Sequence, residues 1–314
     1  MNQRQFKAVA ILIATPTIVI IFSAFLIHSY GKDKGCLPPQ ELPAFSVATQ
    51  SPEVVSFVAF GDAGEASQMQ RDTFAAATKT CEALGCDFAL LLGDNFYEKG
   101  IKRAKKKHLK KIYQKQLKIL GLPLYVVLGN HDVKKNFQAQ IDLHQIEPLW
   151  NMPSTRYQFT AGPANFIALN SNCHGLDLFW GKEQLTKSAK KWNVILQHHT
   201  IFSTGSHGDA PAPIGYLWEQ LDFSKLDLFL SGHDHNLEHL TKRGQKAQYV
   251  ISGSASRPRS NKSATGSNAS KGSSDFYIVE PGFVWIQITR QTMEIQYFDS
   301  TANLLYKTKT TKEE

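Results

Sequence analysis

VVSFVAFGDAG (54–64) holds the decisive pattern: a run in which only Ser56 is polar stops at Gly61 and hands over to Asp62. A short run rich in β-branched and aromatic side chains, closed by glycine, reads as a strand buried on both faces. The same grammar returns four times. DFALLL (87–92) leads into Gly93-Asp94, PLYVVL (123–128) into Gly129-Asn130, and LDLFLS (226–231) into Gly232-His233. WNVIL (192–196) ends in Gln197-His198, with glutamine in the glycine position. Helix-like stretches at 66–83 and 102–120 separate the first runs, so the chain reads as βαβ units of an α/β fold. Such units gather their ligands at the carboxyl ends of the strands. Here those ends carry Asp62, Asp94, Asn130, His198, His233 and His235, with Tyr97 three residues past Asp94.

The rest of the composition allows that reading. Of 314 residues, 42% are hydrophobic and 11% aromatic, which supports a large core and excludes wholesale disorder. The formal net charge of +8 raises a nucleic-acid reading, so its location decides. Residues 99–118 hold ten Lys and Arg and no acid; the remainder has 25 basic against 27 acidic residues. The body is therefore near neutral, with one basic segment. Ile101, Leu109, Ile112, Leu117 and Leu120 give that segment one apolar face, as in a solvated helix packing one stripe on the sheet. A second reading is attraction to an anionic membrane or a polyanionic substrate. No aromatic platform accompanies the lysines, so a nucleic-acid partner is not expected.

Residues 8–27 are twenty uncharged residues preceded by Arg4 and Lys7, long enough to span a bilayer core of about 30 Å. Two readings stay open for 1–30: a retained signal anchor, or a signal peptide cleaved near Ser29-Tyr30-Gly31. The positive flank keeps the N-terminus cytoplasmic and exports the remainder, as a membrane-anchored or a secreted or periplasmic protein. The Pro-rich residues 31–52 read as an extended linker and 53–310 as the catalytic domain. Residues 253–274 are Ser-, Gly- and Asn-rich, read as a mobile surface loop, and carry sequons at Asn261 and Asn268. The segment that follows alternates like a terminal antiparallel meander. Four cysteines are too few for a disulfide scaffold; Cys81 and Cys86 read equally as a local disulfide or as two small buried side chains.

Carboxylate, amide oxygen and imidazole together suit hard or borderline metals, and the absence of thiolate argues against a purely structural zinc site. The donors outnumber what one ion with an open position needs. Two ions bridged by one carboxylate would use them all, an arrangement suited to in-line attack on phosphorus. Each piece alone is weak, since Gly-Asp and Gly-Asn are common turns. Five such endings in one order are specific.

GDAG (61–64), GDNFY (93–97), GNHD (129–132), ILQH (195–198) and GHDHN (232–236) resemble the metallophosphoesterase superfamily, and more narrowly the small purple acid phosphatases of the tartrate-resistant type. The resemblance covers about residues 54–308 and implies a four-layer αββα sandwich. It also implies a ferric ion held by Asp62, Tyr97, His235 and bridging Asp94, and a divalent Fe, Zn or Mn held by Asn130, His198, His233 and Asp94. His131 would contact phosphate or the leaving group with Asp132 as an orienting partner, and His207 would be a second active-site histidine. The implied activity is hydrolysis of phosphate monoesters, small molecules or phosphoproteins, by a metal-bound hydroxide. Two carboxylates and an ionised Tyr97 set against about five positive charges leave a site that attracts phosphate and holds hydroxide in acid. The alternatives are a manganese or iron phosphodiesterase or nucleotidase on the same fold, and an inactive membrane-anchored binding protein.

Some positions depart from the family pattern. The histidine motif, which in the family follows Gly and precedes an aromatic and Pro, here reads Gln197-His198-His199-Thr200. His198 directly follows the strand and keeps its spacing to His207; His199 is the alternative ligand. In the animal enzymes a disulfide ties the region of Cys173 to a segment after the Ser-His-Gly motif; no cysteine lies there, so Cys173 is expected to be free. Residues 173–191 are short where relatives carry a regulatory loop, so activation by cutting that loop is not expected.

Overall fold

The computed structural model describes residues 34–36, 43–173, 175–259 and 270–313. The chain runs through β1 (Ala44–Val47) and β2 (Val54–Phe60), crosses α1 (Gln68–Leu84) to β3 (Phe88–Leu92), and passes α2 (Lys106–Ile112) and α3 (Gln114–Leu120) to β4 (Leu124–Val127). A one-turn α4 (Gln138–Ile141) precedes β5 (Trp150–Asn151), the hairpin β6 (Tyr157–Ala161) and β7 (Ala164–Ala168), α5 (Leu176–Lys187) and β8 (Trp192–Leu196). Then α6 (Ile214–Gln220) leads to β9 (Leu228–Ser231), β10 (Leu237–Thr241) and β11 (Gln248–Ser252). Last come β12 (Ser273–Ile278), β13 (Gly282–Thr289), β14 (Thr292–Asp299) and β15 (Leu304–Thr311).

Two sheets result, one ordered β15-β14-β13-β2-β3-β4-β5 and the other β1-β6-β7-β8-β9-β11-β10-β12. The five apolar runs are β2, β3, β4, β8 and β9, and within each sheet they pair in parallel. Their two-residue period explains why both faces are apolar. Val55, Phe57 and Ala59 of β2 meet Phe166 and Val194 of the opposite sheet in a core between the sheets. Val58 and Phe60 face outward onto Phe74 of α1, and Leu109 of α2 joins the same layer. On the far side, Ile167, Ile195 and Phe229 pack with Leu178 and Leu185 of α5 and Trp218 of α6. Three apolar interfaces separate four layers, helices outside and two sheets within.

Local sequence sets the element ends near the site. Ser67 caps α1, its hydroxyl accepting from the Gln70 N–H at 3.1 Å, a contribution of about 1 kcal/mol. The lysine-rich stretch forms two short helices where one was expected. Tyr113 breaks it: the residue is buried and its hydroxyl donates to the Asn95 carbonyl at 2.9 Å, anchoring both helices to the GDNFY loop. The terminal meander also splits. The strands β13 to β15 extend the first sheet, whereas β12 pairs with β10 in the second.

Two disulfides are present. Cys81 pairs with Cys86 across the end of α1, with Cα atoms 5.1 Å apart. Cys173, expected from the sequence to be free, is instead paired with Cys36, 137 positions away, with Cα atoms 5.5 Å apart. The bond is possible because residues 34–36 lie against the domain. Thr155 Oγ1 donates to the Gly35 carbonyl at 2.6 Å and Asn170 Nδ2 to the Lys34 carbonyl at 2.8 Å. Part of the expected linker is also strand, since β1 pairs in parallel with β6. The proposed anchor or signal segment 1–30 and both sequons lie outside the described residues. Among the described residues no helix is long and apolar enough to cross a membrane.

Candidate metal centre

Three of the candidate side chains leave their strands through strained turns. Asp62, Asp94 and His233 adopt left-handed backbone with φ of 57°, 53° and 70°, a conformation that costs a non-glycine residue on the order of 1 kcal/mol. The glycines before Asp94 and Asn130 let the loops close on one another. A Cβ on Gly129 would stand 2.2 Å from both the Asp94 backbone nitrogen and its Oδ1, and one on Gly93 would meet the His198 ring at 2.6 Å.

The loops interlock reciprocally. The His131 N–H donates to Asp94 Oδ1 at 2.8 Å, and the His233 N–H donates to Asp62 Oδ2 at 2.8 Å. Asp62, Asp94 and His198 place ligand atoms within 4.8 Å of one another, all three buried. Tyr97 donates its hydroxyl to Asp62 Oδ1 at 2.8 Å. His198 Nε2 lies 3.0 Å from Asn130 Oδ1 and 3.5 Å from Asp94 Oδ1. The His233 ring stacks against that of His207, at 4.0 Å, and meets that of His199 tilted, at 4.4 Å. All seven metal-competent residues named from the sequence therefore converge at one end of the two sheets. His199, the alternative ligand, is also engaged elsewhere, its Nδ1 sharing a hydrogen bond with the Ser171 hydroxyl at 2.7 Å.

The donor chemistry fits metal ions. His198 Nδ1 lies 2.8 Å from the Leu92 carbonyl, and His235 Nδ1 contacts the Arg257 carbonyl. A carbonyl only accepts, so each Nδ1 carries the proton and each neutral ring turns a bare Nε2 lone pair inward. The bare His198 nitrogen faces two oxygens, and the bare His235 nitrogen faces Asp62 Oδ1 at 3.4 Å. Lone pairs converging without a proton between them are what a cation satisfies. Burial and the mutual repulsion of neighbouring imidazoles hold His233 well below the usual histidine range. Burial also pushes His235 down to about 4. Burial, reinforced by the Asp94 charge, pushes the Asp62 carboxyl well up. Burial works against ionised Asp94 too, but His198 and His131 hold it below the ordinary value. Burial and both carboxylates raise the Tyr97 phenol, so without metal it stays protonated and donates.

Around this cluster stand residues that sequence reasoning placed only in part. His131 sets its Nδ1 2.6 Å from the Glu98 carbonyl. Asp132, expected to orient His131, bonds elsewhere: it accepts from the backbone N–H groups of Asn95, Phe96 and Gly129 and from Asn95 Nδ2. Burial and nearby Asp94 push its carboxyl up to about 7. The orienting carboxylate that sequence reasoning missed is Asp234, which accepts from His207 Nδ1 at 2.8 Å and from the Ser203 and Ser206 hydroxyls. Arg257, from the stretch expected to be a mobile loop, sits 4.6 Å over the Tyr97 ring and pairs with Glu65 and Glu98. No spacing rule reveals these contacts, because even Arg257 and Glu98 lie 159 positions apart.

The model of the calcineurin-like phosphoesterases matches residues 55–237, which include every candidate ligand. The chain belongs to that family. Among phosphoesterase relatives it is similar to pig (Sus scrofa) tartrate-resistant acid phosphatase type 5, 26% identical over 336 residues covering 94% of this chain and 95% of that protein. It is equally similar to Arabidopsis thaliana purple acid phosphatase 7, 26% identical over 94% of this chain and 96% of that protein. Among solved phosphoesterase folds it resembles GAP50, the anchor in the inner membrane complex of Plasmodium, with TM-score 0.69 and 21% identity over 83% of this chain and 90% of that one. The purple acid phosphatase PPD1 of yellow lupin (Lupinus luteus) gives TM-score 0.59 and 15% identity over 82% of this chain and 53% of that one. At these identities the two structures speak for the fold alone.

Proposed function

We propose that the chain hydrolyses phosphate monoesters at a binuclear metal centre and works best in acid. The observation that carries this reading is the pair of bare imidazole nitrogens turned onto buried carboxylate and amide oxygens. In this reading Asp62, Tyr97 and His235 would hold a ferric ion, Asn130, His198 and His233 would hold a divalent one, and Asp94 would serve both. When bound, the metals supply Lewis acidity that activates water and neutralises the phosphate.

The chain's own groups do the rest. The N–H groups of His131 and His233 fix Asp94 and Asp62 at 2.8 Å, so the carboxylates do not have to reorganise during turnover. Asp234 holds His207 Nδ1 and leaves its Nε2 for substrate, and the Glu98 carbonyl does the same for His131. As the water oxygen loses a proton to solvent and joins phosphorus and the ester P–O bond breaks, the leaving oxygen would take the Nε2 proton of His131 or His207 in its doubly protonated form, the Nδ1 proton staying directed at the Glu98 carbonyl or Asp234. No phosphorylated protein group is needed.

Two disulfides favour an oxidising compartment. With the apolar residues 8–27, they support export of the 53–310 domain, anchored by residues 1–30 or released after their removal. The test is hydrolysis of p-nitrophenyl phosphate by the full chain between about pH 4 and pH 8, recorded with its visible spectrum. A phenolate-to-iron band that disappears in Tyr97→Phe is expected. A colourless, fully metallated and active protein would reject the iron–tyrosinate assignment. No hydrolysis at any pH with metals supplied would point to a binding protein instead.

A further inference from the structure

The strongest feature outside the site is the basic face of α2 and α3. The cations of 99–118 form no ion pair among the described residues, and the helical lysines are exposed. Lys106, Lys110 and Lys118 line an open cleft of about 300 Å³ together with Leu109, Ile146 and Leu149, and Glu147 is its one acid. An adjoining cleft of about 260 Å³ shares Lys110 and adds Arg71, Lys111 and Lys115. Ile119, directly after Lys118 in sequence, is 53% exposed. Unpaired cations around the exposed Ile119 match a surface that is anionic outside and hydrocarbon beneath. A soluble polyanion would leave the apolar part of the face unused.

A second observation places this face near the tether. Residues 34–36 are the described residues closest in sequence to the apolar stretch 8–27. They are held to the domain at Cys173 and Thr155, and Gly35 lies so close to the Phe137 ring that a Cβ would meet it at 3.0 Å. The neighbouring Asn136 donates from its side chain to the Lys102 carbonyl at 3.1 Å and from its N–H to the Ile101 carbonyl at 3.3 Å. One corner of the fold thus joins the chain from the apolar segment to the start of the basic segment. Lys134 and Lys135, both exposed, extend the charge there.

We propose that the α2–α3 face docks on an anionic lipid bilayer, its lysines on the phosphate headgroups and Ile119 in the interfacial layer. This rests on the membrane-associated reading above and adds the face by which the domain lies on the surface. Each cation near such a surface strengthens partition by roughly fivefold, so five of them make a measurable patch.

The test follows amide hydrogen exchange in residues 105–120 of the full chain, with vesicles of phosphatidylcholine alone or mixed with phosphatidylglycerol. Exchange should slow at least fivefold in the anionic vesicles relative to the neutral ones, and high salt should restore it. A variant with Lys106, Lys110, Lys111, Lys115 and Lys118 all changed to Gln should show no difference between the lipids. The same variant should still hydrolyse p-nitrophenyl phosphate like the parent, which verifies its fold. Equal exchange in both lipids, or slowing by inositol hexakisphosphate but not by anionic vesicles, overturns the proposal. The readout needs no metal or turnover, so loss of the phosphatase reading would not be confused with loss of this one.

Discussion

The GNHD loop after β4 and the GHDHN loop after β9 look alike and do one job in common. Each donates a backbone N–H, from His131 or His233, to the carboxylate of a Gly-Asp loop. Their aspartates then part company. Asp132 turns inward and collects N–H groups from Asn95, Phe96 and Gly129, so it holds the loop that presents Tyr97. Asp234 collects Ser203, Ser206 and His207, so it holds the second histidine. The same residue type, each time directly after a histidine, is structural in one loop and positions a histidine in the other. What decides is which segment folds back onto it.

Three substitutions can break that contrast. The largest effect belongs to Asp94→Ala, which removes the carboxylate on which the GNHD loop closes and which faces His198. Metal analysis should find neither ion retained and turnover lower by more than about 1,000-fold; a full metal complement would contradict the bridging role. Next is Asp234→Asn, expected to lower kcat by roughly 10- to 100-fold. Metal content and Tm should stay near the parent's, and the pH limb that reports His207 should move. An unchanged pH profile would show that Asp234 does not act through His207. The smallest catalytic effect is expected from Asp132→Asn. Losing a carboxylate that gathers buried N–H groups should cost about 2 kcal/mol, seen as a Tm drop of roughly 5 °C, with kcat changed less than in Asp234→Asn. A larger kcat loss than that, at unchanged Tm, would reverse the assignments.

Much of the site was legible because its chemistry is local. Each candidate ligand directly follows or closely trails a strand end, and an apolar run closed by glycine is visible without any tertiary information. The convergence of both sheets on one point was implied by parallel strands, whose carboxyl ends share an edge. What escaped depends on contacts far apart in sequence. Cys36 meets Cys173 because residues 34–36 are pinned by Thr155 and Asn170, and a Pro-rich composition cannot announce such pinning. The role of Asp234 needs residues 203–207 to fold back over it. Arg257 was lost inside a low-complexity stretch although its carbonyl meets His235 and its guanidinium covers Tyr97. The lysine-rich helix was expected to be continuous from its apolar spacing, but Tyr113 is drawn inward to the Asn95 carbonyl and divides it.

The central claim is that these loops together hold two metal ions for phosphoester hydrolysis. It is tested most directly by counting metals per chain in the active protein purified without chelator. The account predicts about two per chain, at least one of them iron, with activity lost and regained in step with that count. Full activity against p-nitrophenyl phosphate in a protein carrying no metal, or one ion per chain, would contradict it.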